Sequence, residues 1–139
     1  MSLLQTIYKK ITESPILYVR FKKNEVEIKH IQSGKSISRK ATTPFSNDRL
    51  LIADFEPAEQ FMRKATYELL NIKNKFLKPS FKMVFQPVDP VVNTVTPSES
   101  RIYIDSAHFA GASYIWIIDH QNLLSDEAIL DVVASKPVY

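Results

Sequence analysis

Asp119 and His120 are the neighbouring residues in this chain whose types best suit acid–base chemistry. They directly follow the apolar run Tyr114–Ile118, which is typical of a buried strand. Histidine titrates near neutral pH, and residues at the carboxyl ends of strands often face ligand crevices. However, no serine, cysteine or glycine-rich turn joins the pair in a recognisable motif. We therefore predict a solvated loop here and assign no catalytic residue.

The sequence contains few residues that could bind a metal ion or a nucleotide. The three histidines, His30, His108 and His120, show no metal-ligand spacing, and the chain has no cysteine. With only two glycines, Gly34 and Gly111, no glycine-rich phosphate loop can be written. We expect no metal site and no bound cofactor.

Three acidic residues leave an enzymatic alternative open. Asp54, Asp105 and Asp119 could serve a metal-dependent hydrolase on a ribonuclease-H-like sheet if their carboxylates converged on divalent ions. Asp105 is predicted within a helix, and no acid lies in the first predicted strand. Dispersed carboxylates in the fold would count against this alternative.

The elements that must position these residues are predicted from the spacing of apolar residues and from residues that begin or end helices and strands. Strands are predicted over 16–21, 25–31, 35–41, 81–85 and 114–118, and helices over 57–72, 97–109 and 125–134. Thr96, Pro97 and Glu99 form a strong helix start, and Gly111 is a left-handed C-cap candidate. The third strand is polar, as expected of a sheet edge.

The order of these elements predicts the fold class. Three strands in a meander are followed by helix, strand, helix, strand and helix. This β-β-β-α-β-α-β-α order describes an α/β protein with a mixed five-stranded sheet and helices packed on it. We predict a single domain over residues 15–139, preceded by an amphipathic segment over residues 1–14.

Charge is distributed unevenly along the 139 residues. The net charge is +3, with the basic residues concentrated in the first third of the chain. Such a bias favours anionic partners, so a nucleic-acid-binding adaptor is a second alternative. Its weakness is that the aromatic residues Tyr18 and Phe21 lie in a strand predicted to be buried.

The N-terminal segment could contact a membrane surface. Its apolar residues recur at helical spacing with two lysines beside them, a pattern typical of interfacial helices. The opposing prediction is a helix packed on its own domain. The residues predicted to make membrane contact are Leu3, Leu4, Ile7, Lys9, Lys10 and Ile11.

Three stretches of the chain resemble the first large subdomain of the bacterial actins, specifically the rod shape-determining MreB family. Residues 51–55 read L-I-A-D-F, similar to the family's V-I-A-D-F, and residues 83–88 resemble its strand ending in V-P-V. Residues 98–120 align without gaps to the family's helix–glycine–strand unit. The matching positions there are Glu99, Arg101, Asp105-Ser106-Ala107, Ala110-Gly111-Ala112 and Ile118-Asp119.

The chain departs from this family where ATP would bind. The resemblance implies a D-x-G phosphate loop in the first hairpin, but Tyr18 stands at the aspartate and Arg20 at the glycine. The family's acidic pair after the fifth strand is Asp119-His120, followed by Gln121. We also expect no counterpart of the second large subdomain, which would supply the adenosine pocket.

The resemblance and its departures together imply a function. We expect a non-catalytic, MreB-like protein with an actin-like fold and a degenerate nucleotide site. It would act through a protein partner or self-association in cell-shape or cytoskeleton-related processes, without nucleotide or nucleic acid. Its expected location is cytoplasmic, at the inner face of the cell membrane.

Overall fold

The chain forms a sheet of five strands flanked by three helices. We describe residues 2–3, 14–74, 76–77, 79–89 and 95–139 of a computed structural model. The strands are β1 (Ile16–Lys22), β2 (Glu25–His30), β3 (Ser36–Lys40), β4 (Phe81–Pro87) and β5 (Ala112–Ile117). The helices are α1 (Phe55–Leu69), α2 (Pro97–Ala110) and α3 (Asp126–Val133).

Strand order and direction confirm the predicted fold class. The order across the sheet is β3-β2-β1-β4-β5. β1 and β2 are antiparallel, as are β2 and β3, whereas β1 pairs in parallel with β4 and β4 with β5. This is the arrangement of a ribonuclease-H-like, actin-like subdomain, with the largely apolar strand β1 at its centre.

The two faces of the sheet carry cores of different size. Helices α1 and α2 cover one face over a core that includes Leu17, Phe21, Met62 and Phe85. On the opposite face, α3 places the fully buried Ile129 in a smaller cluster of five buried residues. Both faces of the central strands are therefore covered, which explains their nearly continuous apolar sequences.

Local signals positioned the α2–β5 unit as predicted. The Thr96 hydroxyl accepts a hydrogen bond from the Glu99 N–H at 3.2 Å, and Pro97 occupies the first turn of α2. Gly111 ends the helix with φ of +118°. A Cβ atom there would lie 2.7 Å from Pro79 Cγ, so this turn requires glycine for space as well as for conformation.

Predicted and observed boundaries differ by two residues or more at three elements. Helix α1 begins at Phe55, so Pro57 is the third helical residue and not the first. The same helix ends at Leu69, before the predicted 72, because Asn71 adopts a positive φ of 56°. Strand β5 starts at Ala112, directly after the glycine, and β4 extends to Pro87.

The edge and the aromatic residues of the sheet are also as predicted. β3 is the exposed outer strand. Tyr18 is 4% exposed and Phe21 is fully buried. Neither aromatic side chain can stack on a nucleic-acid base, so the predicted weakness of the nucleic-acid alternative is confirmed.

Candidate functional site

The carboxyl ends of the parallel strands β1, β4 and β5 meet at one edge of the sheet. Open α/β sheets bind ligands at such an edge. The residues that reach it include Arg20 from β1, Gln86 from β4 and the loop over 119–124 that follows β5. We call this region the strand-end crevice.

Gln86 occupies the centre of the strand-end crevice. Its side chain is fully buried, a rare state for an amide that requires hydrogen-bond partners. Its Oε1 accepts hydrogen bonds from the Tyr18 hydroxyl and, at 3.3 Å, from Arg20 Nε. Its Nε2 donates to the carbonyls of His120 at 2.9 Å and Asn122 at 2.8 Å. One side chain thus ties β1 and β4 to the loop over 119–124.

Tyr18 and Arg20 add further bonds to the same loop. The Tyr18 hydroxyl accepts from the Leu124 N–H at 3.2 Å, and burial raises the pKa of this phenol. Arg20 donates from Nη2 to the Gln121 carbonyl at 3.0 Å. Its other terminal nitrogen lies 3.9 Å from the Glu27 carboxylate. The guanidinium is therefore engaged on three sides by groups of the protein itself.

The bonded network determines what the strand-end crevice can do. A phosphate loop needs small residues, so that backbone N–H groups can approach the phosphate oxygens. Here the Arg20 and Gln86 side chains are bonded to each other and to the loop. The arrangement is suited to holding the loop rigid.

Asp119 and His120 lie at the surface of this loop. Both side chains are exposed, and His120 Nδ1 accepts from the Asn122 N–H at 3.3 Å. The predicted solvated loop is confirmed.

The candidate metal ligands do not converge. Asp54 is the N-cap residue of α1, Asp105 lies on α2 at 3.6 Å from Arg101, and Asp119 follows β5. Across the described ranges, no group of three or more histidine, aspartate or glutamate side chains could hold a metal ion. The geometry gives the metal-dependent hydrolase alternative no support.

The other two histidines, His30 and His108, lie on different elements of the fold. His30 on β2 contacts the Ser33 hydroxyl at 2.6 Å, and burial, with a smaller effect of Lys35, lowers the pKa of this histidine. His108 lies in the last turn of α2, where its ring centroid is 5.0 Å from that of Tyr139. These contacts fit structural roles.

Gln86 is the residue that the sequence analysis missed. It lies in the stretch that resembles a strand ending in V-P-V, and no role was predicted for its side chain. A signal was present, because a single amide interrupts the apolar run from Met83 to Val88. A polar side chain within a buried strand needs partners, although the sequence does not name them.

A second surface combines exposed apolar side chains with basic ones at the end of α1. Phe76 is 83% exposed and Leu77 is 60% exposed, beyond the C-terminus of that helix. Arg63 lies with Cζ 5.0 Å from the Tyr67 ring centroid and 5.3 Å from that of Phe109. We call this the basic–aromatic surface; it comprises Arg63, Lys64, Tyr67, Glu68, Ile72, Phe76, Leu77 and Phe109.

Local hydrogen bonds hold the exposed tip of the basic–aromatic surface in place. The side-chain oxygen of Asn74 accepts a hydrogen bond from the Phe76 N–H at 2.9 Å, and the backbone carbonyl of Asn74 accepts one from the Leu77 N–H at 3.1 Å. The Tyr67 hydroxyl reaches the Leu77 carbonyl at 3.4 Å. The two apolar side chains are therefore presented by a bonded turn.

Most of the predicted membrane-contact segment lies outside the described residues. Leu3 is described and is 76% exposed. Among the described residues, no helix has the length and apolar character needed to cross a membrane. The remaining predicted contacts, Leu4, Ile7, Lys9, Lys10 and Ile11, lie outside the described residues and stay predictions.

Comparisons with known proteins add a likeness of fold. No protein-family model matches the chain, and no curated protein matches it. Among solved structures, the chain is similar to the crystal structure of ethanolamine utilization protein EutJ from Carboxydothermus hydrogenoformans, with 10% identity and a TM-score of 0.49. The match covers 82% of this chain but 42% of that protein, so the chain spans about two fifths of its neighbour.

Proposed function

We propose that this chain is a non-catalytic protein with an actin-like fold, which acts by contact with other macromolecules at the cytoplasmic face of a membrane. A role in cell-shape or cytoskeleton-linked processes, as in the MreB family, is part of the proposal and is supported by the three sequence motifs. The observation that carries it is the strand-end crevice, where Tyr18, Arg20 and Gln86 are hydrogen-bonded to one another and to the loop over 119–124.

The energetics of the strand-end crevice argue against nucleotide binding. A phosphate entering it would have to displace the Arg20 guanidinium from Gln86 Oε1 and from the Gln121 carbonyl. Separating buried polar groups without replacing their partners costs about 1–3 kcal/mol for each group. Glu27, at 3.9 Å from Arg20, would in addition repel the phosphate.

Isothermal titration with Mg-ATP tests the non-nucleotide part of the proposal. We expect no saturable heat up to about 1 mM nucleotide, a concentration that corresponds to a binding free energy near −4 kcal/mol. Arg20→Met serves as the companion variant, because it removes the guanidinium from the crevice. Micromolar binding by the natural chain that is lost in Arg20→Met would overturn the proposal.

The basic–aromatic surface supports the membrane part of the proposal. Phe76 and Leu77 project apolar side chains, and burying each fully is worth about 1.5–3 kcal/mol. Arg63 and Lys64 line the same surface as Phe76, and each basic residue near an anionic bilayer adds about 1 kcal/mol. In the sequence, Lys75 and Lys78 flank the same apolar pair. These terms predict weak, reversible attachment to anionic lipid.

Vesicle co-sedimentation tests this attachment. We expect binding to vesicles of phosphatidylcholine with 30% phosphatidylglycerol, little binding to pure phosphatidylcholine, and weakening in 0.5 M NaCl. The double variant Phe76→Ser, Leu77→Ser should reduce the bound fraction at least fivefold. Leu130→Ser is the matched control, because it removes another half-exposed leucine, on α3.

Deletion of residues 1–13 separates the two candidate membrane contacts. Loss of binding on deletion, with the double variant unaffected, would transfer the membrane contact to the N-terminal segment. Absence of binding by the natural chain at 30% anionic lipid would refute membrane attachment altogether, without bearing on the nucleotide titration.

A further inference from the structure

A groove of about 830 Å³ runs between the edge strand β3 and helix α1. Helix α1 lies antiparallel to β3, because Arg39 of the strand contacts Glu68 near the helix end while Thr42 and Thr43 lie near its beginning. Phe61 and Ala65 from the helix and Ala41 beyond the strand form its apolar floor.

Backbone groups of β3 point out of the sheet beside this groove. The bonds His30 N–H to Lys35 carbonyl and Ala41 N–H to Asn24 carbonyl show which residues face β2. Since inward and outward pairs alternate in an antiparallel ladder, the odd-numbered residues of β3 face inward. The N–H and C=O groups that point outward belong to Ser36, Ser38 and Lys40.

Apart from the ion pair between Arg39 and Glu68, the charges that line the groove are separated by sign. Lys40 and Lys64 line one part of it, and neither forms an ion pair within the part of the chain that the structure describes. Asp54 and Glu56, at the start of α1, line the other end. A ligand in the groove would therefore meet positive charge first, then an apolar floor, then negative charge.

We propose that this groove binds an extended peptide segment of a partner protein, which adds to β3 as a sixth strand. The segment carries an acidic residue beside Lys40 and Lys64, an apolar residue over Phe61, and a basic residue near Glu56. This peptide-binding proposal rests on the proposed function in one respect, namely that the chain acts by contact. It adds the chemistry of the partner segment.

The dimensions of the groove fit this spacing. From Lys64 back to Glu56, helix α1 advances about 12 Å at 1.5 Å per residue. An extended strand covers that distance in about four residues, and its alternate side chains point to the same side. Acidic, apolar and basic residues at alternate positions of a five-residue segment would therefore all enter the groove.

The edge itself selects against a second copy of the chain. Antiparallel pairing of two β3 strands would bring the basic residues Arg39 and Lys40 of both copies together, an arrangement that discourages edge-to-edge pairing. Arg39 Nη1 also donates to the outward Ser38 carbonyl at 2.9 Å, and an added strand would displace it from that carbonyl. A peptide N–H can donate to the same carbonyl instead, and the ion pair between Arg39 and Glu68 can persist.

The probe is a pair of blocked heptapeptides of opposite direction, Thr-Glu-Thr-Leu-Thr-Lys-Thr and its reverse, titrated into the full chain labelled with ¹⁵N. We expect one of them to bind with a dissociation constant of about 100 µM. The amide signals of Ser36, Ser38 and Lys40 should shift together, since their N–H groups are the ones the peptide would engage.

Three variants locate the binding. Ser38→Pro removes an outward N–H and leaves the inward ladder intact, so binding should fall at least tenfold. Lys64→Glu should weaken binding at least fivefold, and a peptide with lysine in place of glutamate should restore it. Lys73→Glu, the same charge change outside the groove, should have no effect.

The outcomes are decisive for the groove alone. Absence of shifts with both peptides at 2 mM, or binding that Ser38→Pro and Lys64→Glu leave unchanged in folded protein, overturns the proposal. The ¹⁵N spectrum of each variant reports its folding. Vesicle binding that persists in Ser38→Pro would show that the failure concerns the peptide groove and not the proposed membrane contact.

Discussion

Replacing Gln86 with methionine tests whether the strand-end crevice is a structural joint. Methionine keeps an unbranched side chain of similar length but has no amide. The change removes four hydrogen bonds, two accepted by Oε1 and two donated by Nε2. The Tyr18 hydroxyl, which is buried, loses its acceptor.

The expected cost follows from these bonds. A hydrogen bond contributes a net 0.5–1.5 kcal/mol, and water can reach the exposed residues His120 and Asn122, so we expect a total loss of about 3 kcal/mol. For a chain of this size, that corresponds to a decrease in melting temperature of roughly 10 °C. Leu124 should also lose amide protection, because its N–H donates to Tyr18.

Urea unfolding followed by circular dichroism, together with hydrogen exchange, measures both effects. Gln60→Met is the matched control, an identical substitution at an exposed position of α1, where we expect a change within about 0.5 kcal/mol. If Gln86→Met were no more destabilising than this control, or if Leu124 kept its protection, the assignment of the crevice as a structural joint would be wrong.

Three further changes test the fold and its charges. Gly111→Ala should lower the free energy of unfolding by about 2–4 kcal/mol in thermal unfolding, because a positive φ and a close contact combine there. Gly34→Ala is the control, because an added Cβ would meet nothing within 4 Å, and it should cost about 1 kcal/mol. Equal costs for the two variants would contradict the role of the contact. Thr96→Ala should cost about 1 kcal/mol through loss of the α2 N-cap, with unchanged stability as the contrary result. The hydrogen bond from Arg39 lowers the pKa of Glu68, so this pair stabilises the fold above the ordinary glutamate pKa and less as pH falls through the lowered pKa; in ¹³C titrations, Arg39→Ala should raise the pKa of Glu68, and no change would exclude the pairing in solution.

Much of the fold could be predicted because its signals are local. The α2–β5 unit needed only a threonine cap, a proline in the first turn and a glycine stop, all within sixteen residues of sequence. The alternation in β2 predicted its half-buried face, and the polar composition of β3 predicted an edge. Helix α1 was predicted with displaced ends because Pro57 suits several positions in a first turn.

The strand-end crevice and the groove beside β3 could not be predicted in the same way. The solvated loop at Asp119 and His120 was predicted, but the side chain of Gln86 that holds this loop was not. The groove beside β3 exists because helix α1, beginning fifteen residues after that strand, packs back alongside it. No short pattern encodes such a meeting of elements.

The sequence by itself determined the order of elements, their caps and the apolar faces that cover the sheet, since each depends on residues close together in the chain. Tertiary structure alone decided the content of the strand-end crevice. Tyr18 and Gln86 are 68 residues apart, and Arg20 is 101 residues from Gln121, yet they form one hydrogen-bonded network. The physical reason is that a buried amide must find partners wherever the fold brings them, and parallel strand pairing brings these together only in the folded chain.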